Sequence, residues 1–586
     1  MNVTEKTAKL RELMREAGID AFLVTGQDPH LGEYQPLRWR TRHFISGFTG
    51  SAGTVIVTQD EALLWVDSRY FIQAAKEIEG SCFSMMKDEM EGVPSPTDWL
   101  LGKACPGWKV GVDGASISIA AAESLSKRLS RKGAELVITG DLLGSFWEDR
   151  PEVPSTPIIK MPEEYAGETS AHKLGRIRET LKAKGVGWTF IAALEDIAWL
   201  TNLRANDIRF VPVFVAWCYV SLDKAILFVE KDRLSEEALE AVEKDFEVRS
   251  YYSVHETLSE VVSGPGYLDM RKVNASFSSI LADEGNVPGF DLTTLMKTCK
   301  NDAELEGMRK AHILDAAAFI EFLSKLDRDG TYHESEISRL LEAERKKMPG
   351  YLEPSFSPIS GWGPNGAMCH YSASDEGALI SGPGLLVLDT GSQFEFGTTD
   401  ITRTLLFGHQ ATEDQKRDYT LVLKGHLALM HQRFIKGTRG LQLDALAKQY
   451  LWGAGESFYH GTGHGVGHRL SCHEGPLRIN TAMIDVPLQL GMVMSDEPGL
   501  YKEGRYGIRI ENLMAVRKAE ETEFGEFYEF ENLTFVPYEA ELLDFSILTE
   551  QEKGWINDYH KEIKEKLAPY ISPAAALWLE KAAEEI

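Results

Sequence analysis

Apolar and polar positions alternate along the N-terminal half of the chain in an order that occurs twice. In the first copy, amphipathic spacing predicts a helix and short apolar runs predict three strands, at residues 7–18, 21–25, 54–57 and 63–67. About 165 residues later the same order returns, with a helix and three strands predicted at 173–185, 189–193, 211–220 and 225–229. Because helix and strand alternate in both copies, we predict two related α/β domains.

Two breaks in this pattern divide the chain. A proline-rich stretch at 151–157 ends the first copy, which places one domain at residues 1–155 and a second at 156–301. Helical spacing over 302–326 opens a third domain, predicted at 302–586 with a C-terminal extension from about residue 525. The predicted fold class is therefore α/β (α+β), with two related N-terminal domains ahead of a third.

Composition narrows the classes of function. The 586 residues are 43% hydrophobic, and the net charge of −27 argues against a nucleic-acid surface, which needs clustered lysine and arginine. No apolar run reaches the roughly 18 residues of a membrane span, and residues 1–18 lack the apolar segment of a signal peptide. Six scattered cysteines without a CxxC pair fit reduced thiols. We expect a cytoplasmic protein that binds neither nucleic acid nor membrane.

Side chains that commonly bind metals follow one another in the last third of the chain. They are four carboxylates and one imidazole: Asp389, Asp400, His464, Glu497 and Glu511. Asp389 ends an apolar run, Asp400 follows a glycine-rich turn, and the two glutamates flank a second stretch with turn signals. One aspartate after a strand is usually a turn cap, but two hairpins could bring the whole set to one cavity. A hard, anionic set suits two divalent ions sharing a hydroxide better than a structural zinc, which implies hydrolysis.

With these motifs the chain resembles the metallopeptidases of the pita-bread fold, family M24, and among them the long, three-domain Xaa-Pro aminopeptidases. Further stretches that look like signatures of this family lie at 47–54, 67–71, 198–204, 363–367 and 533–538. The resemblance covers nearly the whole chain. It implies two creatinase-like N-terminal domains, a catalytic pita-bread domain, and removal of the first residue from peptides with proline in the second position.

The resemblance also implies a role for each metal-type residue. Asp400 and Glu511 would bridge two divalent ions, and Asp389 would chelate one of them. His464 and Glu497 would complete the other site, and Glu497 would move the proton of the attacking water. We expect manganese from ligand hardness and by analogy, with cobalt and zinc as other ions that bind in vitro.

Several histidines compete for roles near these motifs. His464 and His468 lie on one glycine-rich run, and related short-form enzymes and prolidase use the second histidine of a similar run. The spacing from His464 to His473 matches the long form instead, so we predict His464 as the ligand. By resemblance, His370 would steady the carbonyl oxyanion and His473 would contact the proline side.

Two arginines are open to more than one interpretation. Arg69 matches a family arginine that contacts substrate, whereas composition alone predicts a surface salt bridge. Arg509 lies two residues before Glu511 on the same strand face, so we expect it to pair with an active-site carboxylate and to take no direct part in catalysis.

Two alternatives to an Xaa-Pro aminopeptidase remain. The first is a prolidase restricted to Xaa-Pro dipeptides, which the chain length and the extra N-terminal domain disfavour. The second is a metal-free pita-bread module that binds peptides or proteins. Such modules have gaps among the five ligands, whereas all five positions are filled here.

The segment after Asn532 bears on oligomeric state. It carries many apolar residues: Leu533, Phe535, Val536, Tyr538, Leu542, Leu543, Phe545, Ile547 and Leu548. By resemblance we expect a homodimer formed chiefly through the catalytic domain, to which this segment would contribute apolar surface. Packing of the segment against its own domain is the alternative.

Overall fold

The computed structural model describes residues 1–373 and 376–586. These residues divide into two units, one formed by Met1–Pro162 and Glu168–Leu295, the other by Glu163–Gly167 and Met296–Ile586. None of the described helices is long and apolar enough to cross a lipid bilayer.

The N-terminal unit contains two six-stranded sheets with one shared pattern of strand pairing. Each sheet has five strand pairings. Read across the sheet from its first edge, they are parallel, antiparallel, antiparallel, parallel and parallel. The first sheet has the spatial order Ser84–Lys87, Ala62–Val66, Thr54–Thr58, Ala21–Val24, Lys109–Asp113 and Glu135–Thr139. The second has the order Glu247–Arg249, Ala225–Phe228, Trp217–Ser221, Trp188–Ile191, Tyr267–Leu268 and Val287–Pro288. The predicted internal repeat is therefore confirmed.

The helices of this unit begin and end at local sequence signals. Val3–Glu16 starts at a capping box formed by Asn2 and Glu5, and its counterpart Ser170–Lys184 ends at Gly185 in the left-handed conformation. The other helices of the unit are Thr41–Ser46, Phe71–Glu77, Pro96–Lys103, Ile119–Ser130, Leu194–Thr201, Glu236–Val242, Val254–Val261 and Ser278–Leu281. A two-stranded pairing joins Ile159–Lys160 to Leu203–Arg204.

One predicted strand begins later than expected. The apolar run 211–220 predicts a strand throughout, but the strand starts at Trp217. The preceding residues fold around the carboxylate of Asp207, whose Oδ2 accepts the Val215 N–H at 2.7 Å and pairs with Arg233 at 2.7 Å. The prediction over 211–216 is wrong because an apolar run indicates burial, and a buried loop held by an ion pair satisfies that equally well.

The C-terminal unit combines one long, buried helix with antiparallel sheets. The helix Asp302–Lys325 begins at a capping box of Asn301 and Glu304, and its inner face lies in the main core of the unit. The six-stranded sheet has the order Phe434–Ile435, Gly525–Asn532, Asn512–Thr522, Val493–Asp496, Gly463–Gly465 and Glu474–Ile479. The remaining strands are Tyr332–His333 with Leu379–Ile380, Tyr351–Pro354 with Ser392–Phe394 and Gly397–Thr398, Ile359–Trp362 with Gly384–Thr390 and Ile401–Phe407, and Gly499–Lys502 with Tyr506–Arg509. The other helices from residue 163 onward, outside those already given, are Glu163–Ala166, Leu292–Thr298, Glu334–Arg345, Glu413–Met430, Gly440–Gly453, Glu550–Leu567 and Pro573–Ala582.

The segment after Asn532 packs on its own domain. Most of its apolar side chains are buried within the chain: Leu533, Phe535, Val536, Tyr538, Leu542, Leu543 and Leu548. The two exceptions are Phe545, at 47% exposed, and Ile547, which is partly exposed. The expectation that this segment offers free apolar surface to a second subunit is therefore wrong for these seven residues, because the helices and strands of the same unit already cover them.

Arg403 ties this segment to the strand that follows Glu511. The guanidinium is 1% exposed and donates to the carbonyl oxygens of Glu511 at 2.8 Å and Val536 at 2.7 Å. It also donates to the hydroxyl of Tyr559, on the helix Glu550–Leu567, at 3.0 Å. Three segments distant in sequence therefore meet at one buried cation whose donors are satisfied by oxygen acceptors.

Candidate metal centre

The first predicted hairpin brings Asp389 and Asp400 to the same end of a sheet. The strands Gly384–Thr390 and Ile401–Phe407 pair antiparallel, with Asp389 opposite Thr402. Asp400 directly precedes the second strand and therefore lies at the same end. Both aspartates are buried.

The second hairpin positions the two glutamates. Glu497 precedes the strand Gly499–Lys502, and Glu511 follows its partner Tyr506–Arg509. The flanking strands of the larger sheet continue the pairing, with Asp496 opposite Asn512. Glu497 and Glu511 therefore stand on either side of the base of one hairpin, as their spacing predicts.

A pair of hydrogen bonds joins the two hairpins. The Glu511 N–H donates to the Thr402 carbonyl at 3.1 Å, and the Thr402 hydroxyl donates to Glu511 Oε2 at 2.7 Å. Because Thr402 lies opposite Asp389, this pair of bonds ties Glu511 to the hairpin that carries the two aspartates.

His464 reaches the same point from a third element. It lies on the short strand Gly463–Gly465, where a Cβ at Gly463 would collide with the Ser495 carbonyl, so glycine permits the close approach of the two strands. The Ser495 hydroxyl accepts the His464 N–H at 3.0 Å and lies 3.4 Å from Glu497 Oε1. Serine therefore positions the histidine and the glutamate together.

Three of the five residues form a group of metal-binding dimensions. One ligand atom each from Asp400, His464 and Glu511 lies within 4.8 Å of the others. His464 Nε2 is 3.5 Å from Asp400 Oδ2 and 3.5 Å from Glu497 Oε1, which places Glu497 at the edge of the group. Asp389 lies beside this group, because it is opposite Thr402 and the Thr402 hydroxyl bonds Glu511.

The carboxylates of this centre are largely buried close to one another, with Arg509 as the cation paired with Asp389. Burial raises the pKa of Glu497 to about 8 and, together with the charge of Asp400, raises the pKa of Glu511 well above its usual range. Burial also raises the pKa of Asp389, although the cation of Arg509 opposes the rise. The Oδ1 atoms of Asp389 and Asp400 are buried and have no hydrogen-bond partner among the described residues. Buried carboxylate oxygens that lack hydrogen-bond donors are hard ligands suited to divalent cations. The positive charge of such cations would stabilise the ionised carboxylates.

His468 points to a different neighbour from His464. It is 2% exposed, and its Nε2 lies 2.9 Å from the carbonyl oxygen of Phe396. Its Nδ1 is 3.9 Å from Glu304, which completes the capping box of the long helix. The structure therefore brings His464 to the carboxylates and gives His468 a buried contact beneath the long helix.

The other predicted site residues take different positions. The rings of His473 and His464 meet edge to face with centroids 4.2 Å apart, so His473 adjoins the carboxylate group. His370 follows the short helix Gly363–Ala367. Arg69 lies in the N-terminal unit, where its guanidinium forms a two-pronged pair with Asp67 at 2.8 Å for each bond and lies over the Tyr70 ring.

Arg509 begins a chain of contacts that the sequence showed only in part. Its pairing with an active-site carboxylate was predicted, and the partner is Asp389 Oδ2 at 2.5 Å. Arg509 also donates to the Tyr501 hydroxyl at 2.8 Å, which lies 2.8 Å from His460 Nε2. Tyr501 and His460 were missed because neither carries a motif. The only signal was the hairpin itself, which places Tyr501 opposite Gly507, two residues before Arg509.

Cys472 touches the centre directly. Its Sγ lies 3.1 Å from Asp400 Oδ2, and burial together with the charge of Asp400 raises the pKa of the thiol well above its usual range. The thiol therefore remains a neutral donor to the carboxylate.

Profiles of known families match the chain along its length. The creatinase/prolidase N-terminal domain matches residues 6–144, and a second profile of the same description matches 149–304. Metallopeptidase family M24 matches residues 306–518, and the C-terminal region of peptidase M24 matches 526–586.

Several known proteins are similar to this chain over nearly its full length. The probable Xaa-Pro aminopeptidase P of Sordaria macrospora is 40% identical over 97% of both chains, and that of Pyricularia oryzae is 38% identical over 99% of both. The crystal structure of an X-prolyl aminopeptidase from Caenorhabditis elegans, described as a cytosolic enzyme with a di-nuclear active site, matches 100% of both chains at 32% identity and a TM-score of 0.96. A prolidase from Pyrococcus horikoshii shares the fold at 22% identity and a TM-score of 0.51, over 63% of this chain and 99% of its own. The chain therefore belongs to metallopeptidase family M24 and, within it, to the Xaa-Pro aminopeptidases P.

Proposed function

We propose that this protein removes the N-terminal residue from peptides whose second residue is proline, with two divalent metal ions bound by its catalytic domain. The observation that carries the proposal is the convergence of Asp400, His464 and Glu511 from three separate elements. Full-length similarity to Xaa-Pro aminopeptidases, one of them with a di-nuclear active site, supports it.

Five residues would hold the metal pair. They are the predicted ligands Asp389, Asp400, His464, Glu497 and Glu511, with Asp400 and Glu511 as the bridging carboxylates. The unbonded oxygens of Asp389 and Asp400 and the raised pKa values of the glutamates support this set. When bound, the ions would lower the pKa of a water molecule and polarise the scissile carbonyl, with manganese favoured by the hardness of the ligands.

Glu497 is the proposed carrier of the proton. The attacking water must lose a proton, and the nitrogen of proline must gain one as its bond to the carbonyl carbon breaks. Glu497 Oε1, held near the Ser495 hydroxyl and His464, can accept the first proton and deliver the second. His370 would donate to the carbonyl oxygen as negative charge develops there, and His473 would line the proline side.

The substrate class follows from the similarity to Xaa-Pro aminopeptidases, and the chemistry of proline explains why such enzymes form a separate class. An Xaa-Pro bond is a tertiary amide, so a peptidase that recognises the amide N–H cannot use it and a dedicated pocket is needed. The discriminating experiment compares Ala-Pro-Phe, Ala-Ala-Phe and the dipeptide Ala-Pro with metal-loaded protein, and measures free alanine by mass spectrometry. We expect the protein to cleave Ala-Pro-Phe much faster than the other two peptides, or to cleave it alone. Cleavage of Ala-Pro without Ala-Pro-Phe would favour prolidase, and a metal-free, inactive protein would favour a binding module.

Other properties belong to the same proposal. Domain boundaries near residues 155 and 301, with a C-terminal extension from about residue 525, are supported by the profile matches at 6–144, 149–304, 306–518 and 526–586.

A cytosolic location is supported by the Caenorhabditis elegans enzyme. Substrate contact by Arg69 and formation of a homodimer also remain predictions, and Arg69→Ala kinetics and light scattering would test them.

A further inference from the structure

A buried carboxylate outside the predicted ligand set gathers one loop of the catalytic domain. Glu334, the first residue of the helix Glu334–Arg345, is 0% exposed. Its Oε1 accepts the Trp362 N–H at 2.7 Å and the Asn365 side-chain amide at 3.0 Å. Its Oε2 accepts the Tyr371 hydroxyl at 2.6 Å and the Ala378 N–H at 2.7 Å. One carboxylate therefore binds three residues of the stretch from Trp362 to Tyr371 and also the backbone of Ala378.

His370 lies inside this stretch and is flanked by two fixed neighbours. On one side, the Cys369 carbonyl accepts a hydrogen bond from Arg509 at 3.3 Å, and the same guanidinium nitrogen donates to Asp389. On the other side, the Tyr371 hydroxyl donates to Glu334. The backbone that carries His370 is thus attached to the candidate metal centre through Cys369 and to the helix through Tyr371.

The packing around Glu334 leaves it little freedom to move. Gly377 has a φ of +75°, and a Cβ there would lie 2.6 Å from Glu334 Oε2, so only glycine lets the loop close over the carboxylate. Four donors converge on this carboxylate in a buried site, where hydrogen bonds are stronger than at the surface. Loss of the negative charge would therefore loosen several loop contacts at once.

We propose that Glu334 is a positioning residue for the cleavage reaction, which holds His370 where it can bond the carbonyl oxygen of the scissile bond. This inference rests on the proposed function, because His370 is assigned to that oxygen there. Glu334 acts only through the loop, since its carboxylate oxygens are occupied by the four donors.

The test compares two variants with a matched control. Glu334→Gln keeps the size of the side chain but loses the charge, and Tyr371→Phe removes one of the four bonds in case the first variant folds poorly. Glu336→Gln is the control, because Glu336 lies in the same helical turn and, within residues 1–373 and 376–586, accepts only the His333 N–H, at 3.4 Å. Each is assayed for kcat and KM on Ala-Pro-Phe, for bound metal, and for hydrogen–deuterium exchange over residues 362–373.

We expect Glu334→Gln and Tyr371→Phe to lower kcat by about 10- to 100-fold, as a small misplacement of a reacting group does, with KM and metal content nearly unchanged. Exchange over residues 362–373 should rise in both, and Glu336→Gln should behave as wild type. In the double variant Glu334→Gln/His370→Ala, kcat should equal that of His370→Ala alone, because both changes remove one effect.

Other results would overturn the proposal. These are loss of metal in Glu334→Gln, multiplicative effects in the double variant, or unchanged exchange over residues 362–373. The exchange measurement needs no activity, so it would still show whether Glu334 holds the loop if wild-type protein failed to cleave Xaa-Pro peptides. That failure would count against the proposed function, whereas unchanged exchange would count against the role of Glu334.

Discussion

Thr402 and Glu511 bond each other twice, through a backbone hydrogen bond of 3.1 Å and a hydroxyl-to-carboxylate bond of 2.7 Å. The two residues belong to different hairpins, one carrying the aspartates and the other the glutamates. Thr402 also lies opposite Asp389, so its side chain and its backbone both touch the candidate centre. The separation between the two pairs of carboxylates depends on this contact.

Removal of the Thr402 hydroxyl should weaken metal binding without abolishing it. Thr402→Val keeps the shape of the side chain but leaves Glu511 Oε2 without its donor, so we expect metal affinity to fall by about 10- to 100-fold. Isothermal titration with Mn2+ measures this. Thr420→Val is the control, since that buried hydroxyl bonds the Lys416 carbonyl instead. Equal affinities in the two variants would contradict the prediction.

Loss of a bridging carboxylate should be more severe. Asp400→Asn or Glu511→Gln should remove most bound metal and lower activity by about a thousandfold, because several kcal/mol of transition-state stabilisation is lost. Metal content after dialysis is the direct measurement. Full metal content with near-normal turnover in both variants would rule out the two-metal assignment.

The metal-free protein should become less stable as pH rises. Glu497 has an ordinary pKa of 4.5, raised to about 8 by burial. Between these values the folded state holds a proton that the unfolded state releases, so the stabilisation is fully present below pH 4.5 and is lost as pH rises through about 8. Urea midpoints of chelator-treated protein across this window test the prediction. Glu497→Gln should flatten the slope, and a midpoint that rises with pH in the wild type would refute it.

Alanine variants of the two histidines in the glycine-rich run should lose different properties. His464→Ala should lose metal and activity by orders of magnitude. His468→Ala should keep its metal but cost about 1–3 kcal/mol of unfolding free energy, because it leaves the buried Phe396 carbonyl without a partner. Metal analysis and denaturant unfolding distinguish the two. If His468→Ala lost the metal and His464→Ala kept it, our choice of ligand would be wrong.

The C-terminal segment should contribute to folding more than to association. Phe535 is 2% exposed, so Phe535→Ala should cost about 3–5 kcal/mol of stability with no change in the mass of the native protein. Phe545→Ala should leave stability unchanged, because that side chain is already half exposed. Light scattering of both variants completes the test. Dissociation of a dimer in Phe535→Ala at unchanged stability would restore the interface role first expected of this segment.

The positions of the carboxylates could be predicted because each stands at a strand end beside a turn, whereas their role as metal ligands stays a prediction. The position of Arg509 on the strand face of Glu511 was enough to predict a carboxylate partner. Its links to Tyr501 and His460 depend on tertiary packing, and single tyrosines and histidines carry no pattern. Glu334 was missed for the same reason, since its loop partners lie far along the chain.

Apolar runs predicted that their side chains are buried, but they did not predict which part of the structure packs against them. The run 211–220 and the segment after Asn532 are both buried, as their composition indicates. The first proved to be partly a loop around Asp207, and the second packs on its own domain. Burial can be predicted from composition, whereas the element that supplies the covering surface is determined by the whole fold.

The contacts of Arg403 have a consequence for the order in which this protein becomes active during synthesis. Its partners Val536 and Tyr559 follow all five predicted ligands in the chain. A nascent chain that has already emerged through Glu511 still lacks the carbonyl and the hydroxyl that hold Arg403 against the Glu511 strand. We therefore expect competence for metal binding and peptide cleavage to arise only after the helix Glu550–Leu567 has left the ribosome, which would keep unfinished chains from acting as peptidases.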